Sequence, residues 1–177
     1  MLLGLATGAL LLGIAIAAFP IFRQYTQAMA LWLVALAVVS LAVTAVENIG
    51  VRSMLSLSEA YAKATAADRE QFEGLRVVVS SARNWAHYIG LIIAGCTLFV
   101  LYAVLYRFAL VPRALAAFGL AAVVLQIAAV AMPLFGQSIV FLLLAPLGVS
   151  QLLLAVWLIA KGLRDQVRVP GGERNNA

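Results

Sequence analysis

Charge is scarce in this sequence: 11% of its 177 residues are Asp, Glu, Lys or Arg, against 65% hydrophobic residues and a mean hydropathy of +1.06. A soluble fold of that composition could not cover its own core with polar surface, so a water-soluble globular domain is excluded. Cysteine occurs once, at Cys96, mid-way along an apolar run. No intramolecular disulfide can form, and Cys96 reads as a small buried hydrophobe. Histidine also occurs once, at His87, which rules out a His-rich metal centre, and Cys96 lies too deep to join it. The glycine-rich phosphate loop, the HExxH pair, the GxSxG elbow and any nucleophile with a neighbouring histidine and acid are all missing. Every carboxylate except Glu47 falls in a loop or tail. The expectation is a protein that is not an enzyme and needs no cofactor and no metal.

What the sequence does have is apolar runs of bilayer length. A helix rises about 1.5 Å per residue and the hydrocarbon core is about 30 Å thick, so a span needs about 20 mostly apolar residues. Five segments qualify, at about 2–19, 28–51, 85–106, 114–132 and 139–160. Pro20 is expected to close the first, because proline lacks the amide hydrogen a continuing helix needs. Ala15-Ile16-Ala17 looks like a signal-peptidase site, but the segment has no basic n-region and is long for a secretory core, so it reads as a retained helix. The fold class is therefore all-α, a polytopic bundle of five transmembrane helices whose first partner is the lipid bilayer.

The net charge of +5 and the isoelectric point near 9.9 could point to nucleic acid. The basic residues, however, lie between and after the apolar runs and form no stripe, so they read as topology signals and no nucleic-acid partner is expected. Arg23, Arg107, Arg113, Lys161, Arg164, Arg168 and Arg174 fall on one side of the bundle with only Asp165 and Glu173 as acids. By the positive-inside rule that side is cytoplasmic, which puts the C-terminus inside and the N-terminus outside. The opposite side holds residues 52–84, where basic and acidic residues nearly balance. Thr65 with Asp68 forms a candidate capping pair there, followed by Phe72, Leu75 and Val79 at helical spacing. Together they predict an amphipathic helix lying on the extracytoplasmic surface, with Ser56 and Glu59 opening a shorter one before it. Residues 164–177, with Pro170, Gly171 and Gly172, read as a disordered cytoplasmic tail.

Polar residues inside a span are site candidates by default, because hydrocarbon penalises them unless they are paired. Glu47 is the sharpest. An acid at the bilayer centre costs about 2.5–3.5 kcal/mol, and less near the interface, where the position of Glu47 in its run places it. The third span starts on the same side with Arg83, Asn84 and His87, and residues four apart share a helix face. Glu47, Arg83 and His87 can therefore form a cluster that binds a ligand or passes a proton, or one that simply ties helix ends together, with Arg52 as a competing partner. Gln126 and Gln151 lie mid-way along their spans, where each can bond the other or a backbone carbonyl. Pro146 and Gly148 are expected to break the regular ladder of the fifth span beside Gln151, chiefly as helix-packing positions, with a kink whose freed carbonyls line a small cavity as the alternative. Gly4 and Gly8 form a GxxxG pair that Gly13 and Ala17 extend, a face that admits a close helix neighbour.

Several longer strings are distinctive. Leu98-Phe99-Val100-Leu101-Tyr102, Tyr106-Arg107, Leu110-Val111-Pro112-Arg113, Gly119-Leu120, Pro146-Leu147-Gly148 and the run from Leu154 to Gly162 resemble the bacterial membrane family catalogued as domain of unknown function 4386. Ile16-Ala17-Ala18-Phe19-Pro20 with Arg23, and Leu55-Ser56-Leu57-Ser58, are similar to it as well. The resemblance implies a helical bundle in a bacterial inner membrane and no particular activity. It also implies an additional helix ahead of residues 2–19 in relatives, so that this chain looks shortened and its first helix would be free to recruit a second copy or another membrane protein. The chain departs from the charged pattern of the family at Ala37, Ser40 and Gln151. The function expected is that of a non-enzymatic membrane subunit, partner or small-ligand-binding bundle, ahead of a proton-coupled or small-solute transporter and of a lipid-modifying enzyme.

Overall fold

Inside hydrocarbon every backbone amide and carbonyl must be satisfied within its own segment, and the helix is the element that does this for an isolated run. The computed structural model describes residues 2–65 and 68–163, and the tail expected at 164–177 lies outside the described residues. The five apolar runs form α1 (Leu2–Phe22), α2 (Gln27–Lys63), α3 (Arg69–Arg107), α4 (Arg113–Ala131) and α5 (Ala145–Lys161). Short 3-10 turns at Met132–Phe135 and Phe141–Leu144 extend the last two, and all five helices are long and apolar enough to cross a membrane. Among the described residues there is no strand.

Three expectations about the backbone need correction. Pro20 does not close α1 but lies inside its last turn, and the helix runs on to Phe22. So near the end, a proline removes one bond of the ladder, and the chain turns just beyond, with the Arg23 amide donating to the Phe19 carbonyl at 2.9 Å. Pro146 does not interrupt a helix either, since it occupies the first turn of α5, where a missing amide hydrogen goes unnoticed.

The largest correction concerns residues 52–84, which do not form a separate surface helix. Arg52 to Lys63 continues α2 without a break, and Arg69 to Asn84 is the first part of α3. No proline stands between Pro20 and Pro112, and Ser56 with Glu59 sits in mid-helix. Thr65 and Asp68 flank the break between the two helices: the Thr65 hydroxyl donates to Asp68 Oδ2 at 2.6 Å, and neither side chain caps a backbone amide among the described residues. With 37 and 39 residues, α2 and α3 are about 55 and 58 Å long, so together they exceed a hydrocarbon core by roughly 25 Å and project from it as a helical hairpin. Its tip is held by Tyr61 edge-on to Phe72 at 6.5 Å, with the Arg69 guanidinium over the Tyr61 ring.

The helices pack in chain order, each antiparallel to the next. Without a hydrophobic drive between helices in lipid, close approach and hydrogen bonds hold them together, and glycines provide the approach. Gly4 and Gly8 of α1 seat Asn48, Thr44 and Leu41 of α2, Gly50 and Gly90 seat Arg83 and Val43 across α2 and α3, and Gly95 and Gly119 join α3 to α4. The Gly4/Gly8 face is thus occupied within the chain, while Gly13 has open space around it. The tightest part of the core lies toward the end carrying Arg23, Arg107 and Arg113, where Phe22, Ala30, Tyr102, Leu105, Leu110 and Val111 meet.

Candidate functional site

At the opposite end, α2 and α3 bring three of the predicted residues together. Glu47 Oε1 lies 3.0 Å from His87 Nδ1 and 3.5 Å from Arg83 Nη2, so one carboxylate oxygen receives both basic groups. Residues 83 and 87 are one helical turn apart, which is why a single carboxylate from the facing helix reaches both. Arg52 does not compete, since Arg83 is the arginine paired with Glu47. An ionised Glu47 can only accept, so the contact requires the proton of His87 on Nδ1, or a doubly protonated ring. Arg83 Nη1 also donates to Asn84 Oδ1 at 3.2 Å, which steadies the guanidinium from its own helix. The second carboxylate oxygen has no hydrogen bond among the described residues. Chemically this is a carboxylate held between a guanidinium and an imidazole at the mouth of the bundle, a contact that ties α2 to α3.

The two glutamines are not brought together. Gln126 is buried and its Nε2 donates to the Leu91 carbonyl of α3 at 3.1 Å, the backbone alternative of the two expected. Its Oε1 has no hydrogen-bond partner among the described residues and faces Gly95, where an added Cβ would come within 3.2 Å. Gln151 instead faces a side-open cavity of about 270 Å³ lined by α1, α2, α3 and α5. Leu11 and Ala18 line it from α1, Ala37 and Ser40 from α2, and Thr97 and Leu101 from α3. Gly148, expected to help form a break beside Gln151, lies in regular helix with open space around it.

One polar contact in the core was not foreseen. Tyr102 is fully buried on α3, and its hydroxyl donates to Ser150 Oγ at 3.2 Å, while the Ser150 hydroxyl donates to the Leu147 carbonyl at 2.8 Å. The signal was available in principle, because a tyrosine buried in a span needs a partner for its hydroxyl. Spacing alone did not say which serine would supply it.

Antiparallel apolar helices tied by isolated polar contacts define a polytopic helical membrane protein. Within that class the chain belongs to the family described as Domain of unknown function (DUF4386), whose model matches residues 1–162. No curated protein and no solved structure matches the chain.

Proposed function

We propose that this protein is a non-enzymatic component of a bacterial cytoplasmic membrane, a helical bundle that binds a small ligand or a membrane partner without transforming it. The observation that carries this reading is how the polar groups of the spans are engaged. Glu47 is held by Arg83 and His87, Gln126 by the Leu91 carbonyl, and Tyr102 by Ser150. Each is a tie between helices, and among the described residues none of them brings a histidine or a carboxylate onto a serine, threonine or cysteine side chain. The Glu47 clasp is partly exposed, so its contribution is modest, about 0.2–1 kcal/mol for the ion pair. Glu47→Gln and His87→Ala are expected to leave the protein folded and still holding whatever material copurifies with it in detergent, with a loss of stability of about 1 kcal/mol. The rival reading is proton-coupled transport, favoured by the hydrogen-bonded Glu47 and His87 at the mouth. Proton or solute flux in proteoliposomes that disappears in Glu47→Gln would establish transport and displace the binding reading.

The orientation follows from charge. Arg23, Arg107, Arg113 and Lys161 share one end of the bundle, and we place that end in the cytoplasm with the α2–α3 hairpin outside. A periplasm-active reporter fused after Ala177 should be silent and a cytoplasm-active one bright. The reverse pattern overturns the orientation.

A further inference from the structure

We propose that the cavity between α1, α2, α3 and α5 is a binding site for a neutral single-chain lipid bearing a hydroxyl or carbonyl group. The proposal deepens the binding reading above and rests on it. Its first support is depth. Ser40 stands seven residues before Glu47 on α2, and Thr97 stands ten residues beyond His87 on α3. At about 1.5 Å per residue, both lie roughly 10–15 Å below the Glu47 clasp, inside the hydrocarbon layer.

The lining then selects the chemistry. It contains no Asp, Glu, Lys, Arg or His, so a charged head group would sit unpaired at a depth where an unpaired charge costs about 2.5–3.5 kcal/mol. It does contain unused hydrogen-bonding capacity. Neither the Gln151 amide nor the Ser40 hydroxyl has a partner among the described residues, and Thr97, whose hydroxyl donates to the Ile93 carbonyl at 2.9 Å, keeps its acceptor lone pairs. Unsatisfied amides and hydroxyls in an apolar medium are costly, and lipid tails offer them nothing. A ligand hydroxyl or carbonyl satisfies Gln151, which can both donate and accept.

Volume favours a chain over a helix as the occupant. A bilayer-length helix about 10 Å across fills roughly 2,400 Å³. The cavity, at about 270 Å³, is smaller by nearly an order of magnitude and lies near the lower end of small-ligand sites, about 300–1,000 Å³. It admits an extended chain and its polar group. Access is from the side, because α1 packs on α2 and α5 on α4, so the two walls flank the α2–α3 face without being packed together along their length.

The test uses the full-length protein in lipid nanodiscs with a photoactivatable long-chain primary alcohol, its labelling sites mapped by mass spectrometry. Labelling should saturate on residues 11–22 and 94–101. Unlabelled alcohol should compete better than a fatty acid or an alkane of equal length. Gln151→Leu should weaken binding about three- to tenfold, the range for one hydrogen bond in a membrane. Leu11→Trp, which fills the exposed wall, should abolish it. Equal competition by the alkane with no effect of Gln151→Leu overturns the proposal, because the cavity is then merely solvated by lipid. Saturable labelling confined to another region, or native mass spectrometry that finds a charged or water-soluble molecule retained, also overturns the proposal but leaves the binding reading intact. If neither method finds anything retained, both fall.

Discussion

Replacing Gly119 by alanine is expected to destabilise the bundle more than adding the same methyl group at any of its open glycines. A Cβ at this position would overlap the Tyr102 ring at Cε1, Cδ1 and Cζ. Tyr102 is fully buried and hydrogen-bonded through its hydroxyl to α5, so the ring cannot swing aside without giving up that bond and its packing. Over-filling a packed core typically costs about 1–3 kcal/mol, and here the strain falls on backbone spacing between α3 and α4 as well as on one rotamer. Gly13→Ala and Gly148→Ala are the controls, since nothing lies near a Cβ at either position. Alanine is intrinsically better than glycine in a helix by about 0.8–1.0 kcal/mol in water, so those variants should be neutral or slightly stabilised. The measurement is denaturant unfolding of purified protein in mixed micelles. If Gly119→Ala unfolds with the controls, the seat of Tyr102 on α4 is not where the structure puts it.

The contrast between Gly119 and Gly13 also marks how far the sequence could be read. Span number and approximate limits follow from apolar run length, because hydrocarbon leaves the backbone no alternative to helix. The hairpin was illegible for the opposite reason. Residues 52–84 are polar enough to lie in water, and there a helical pattern is compatible with a surface helix or with a continuing one. What decides between them is the set of facing partners, such as Tyr61 and Phe72, that lie on different helices. Periodicity within one segment cannot report on a neighbour.

The same limit applies to the site. Glu47, Arg83 and His87 were legible as a cluster because their depths coincide and two of them are one turn apart. The choice of Arg83 over Arg52 was not, since it depends on Gly50, against which the Arg83 stem packs, an added Cβ coming within 3.1 Å of it. Gly4 and Gly8 mark a close-packing face in the sequence, and in the bundle Asn48, Thr44 and Leu41 of α2 lie against it. Gln126 and Gln151 lie mid-way along adjacent helices, and position along the span alone could not say that one bonds the Leu91 carbonyl of α3 and the other faces the cavity. Ala37, Ser40 and Gln151, singled out in the sequence as departures from the family pattern, line that one cavity, a grouping that only the tertiary arrangement reveals.

Truncating Tyr102 to alanine is expected to cost about 3 kcal/mol, and replacing it with phenylalanine about 0.6 kcal/mol. The separation between the two values comes from what each removes. Phenylalanine keeps the ring against Gly119 and loses one interhelical hydrogen bond, while Ser150 stays satisfied through the Leu147 carbonyl. Alanine removes the ring and leaves a void between α3 and α4. In a membrane the transfer part of the usual aromatic-to-alanine penalty shrinks, because the separated helices rest in lipid and not in water, so the low end of the range of about 3–5 kcal/mol applies. What remains is lost contact, which no lipid chain restores inside a closed interface. A double-mutant cycle isolates the contact. In the Tyr102→Ala background the Gly119→Ala methyl group enters the void instead of striking a ring, so its cost should fall by about 1–2 kcal/mol. Tyr102→Ala should also loosen the α3 wall formed by Leu98 and Leu101 and weaken labelling of the cavity, which Tyr102→Phe should leave unchanged. Additive costs in the cycle would mean that Tyr102 and Gly119 do not touch, and the arrangement of α3 on α4 would have to be redrawn.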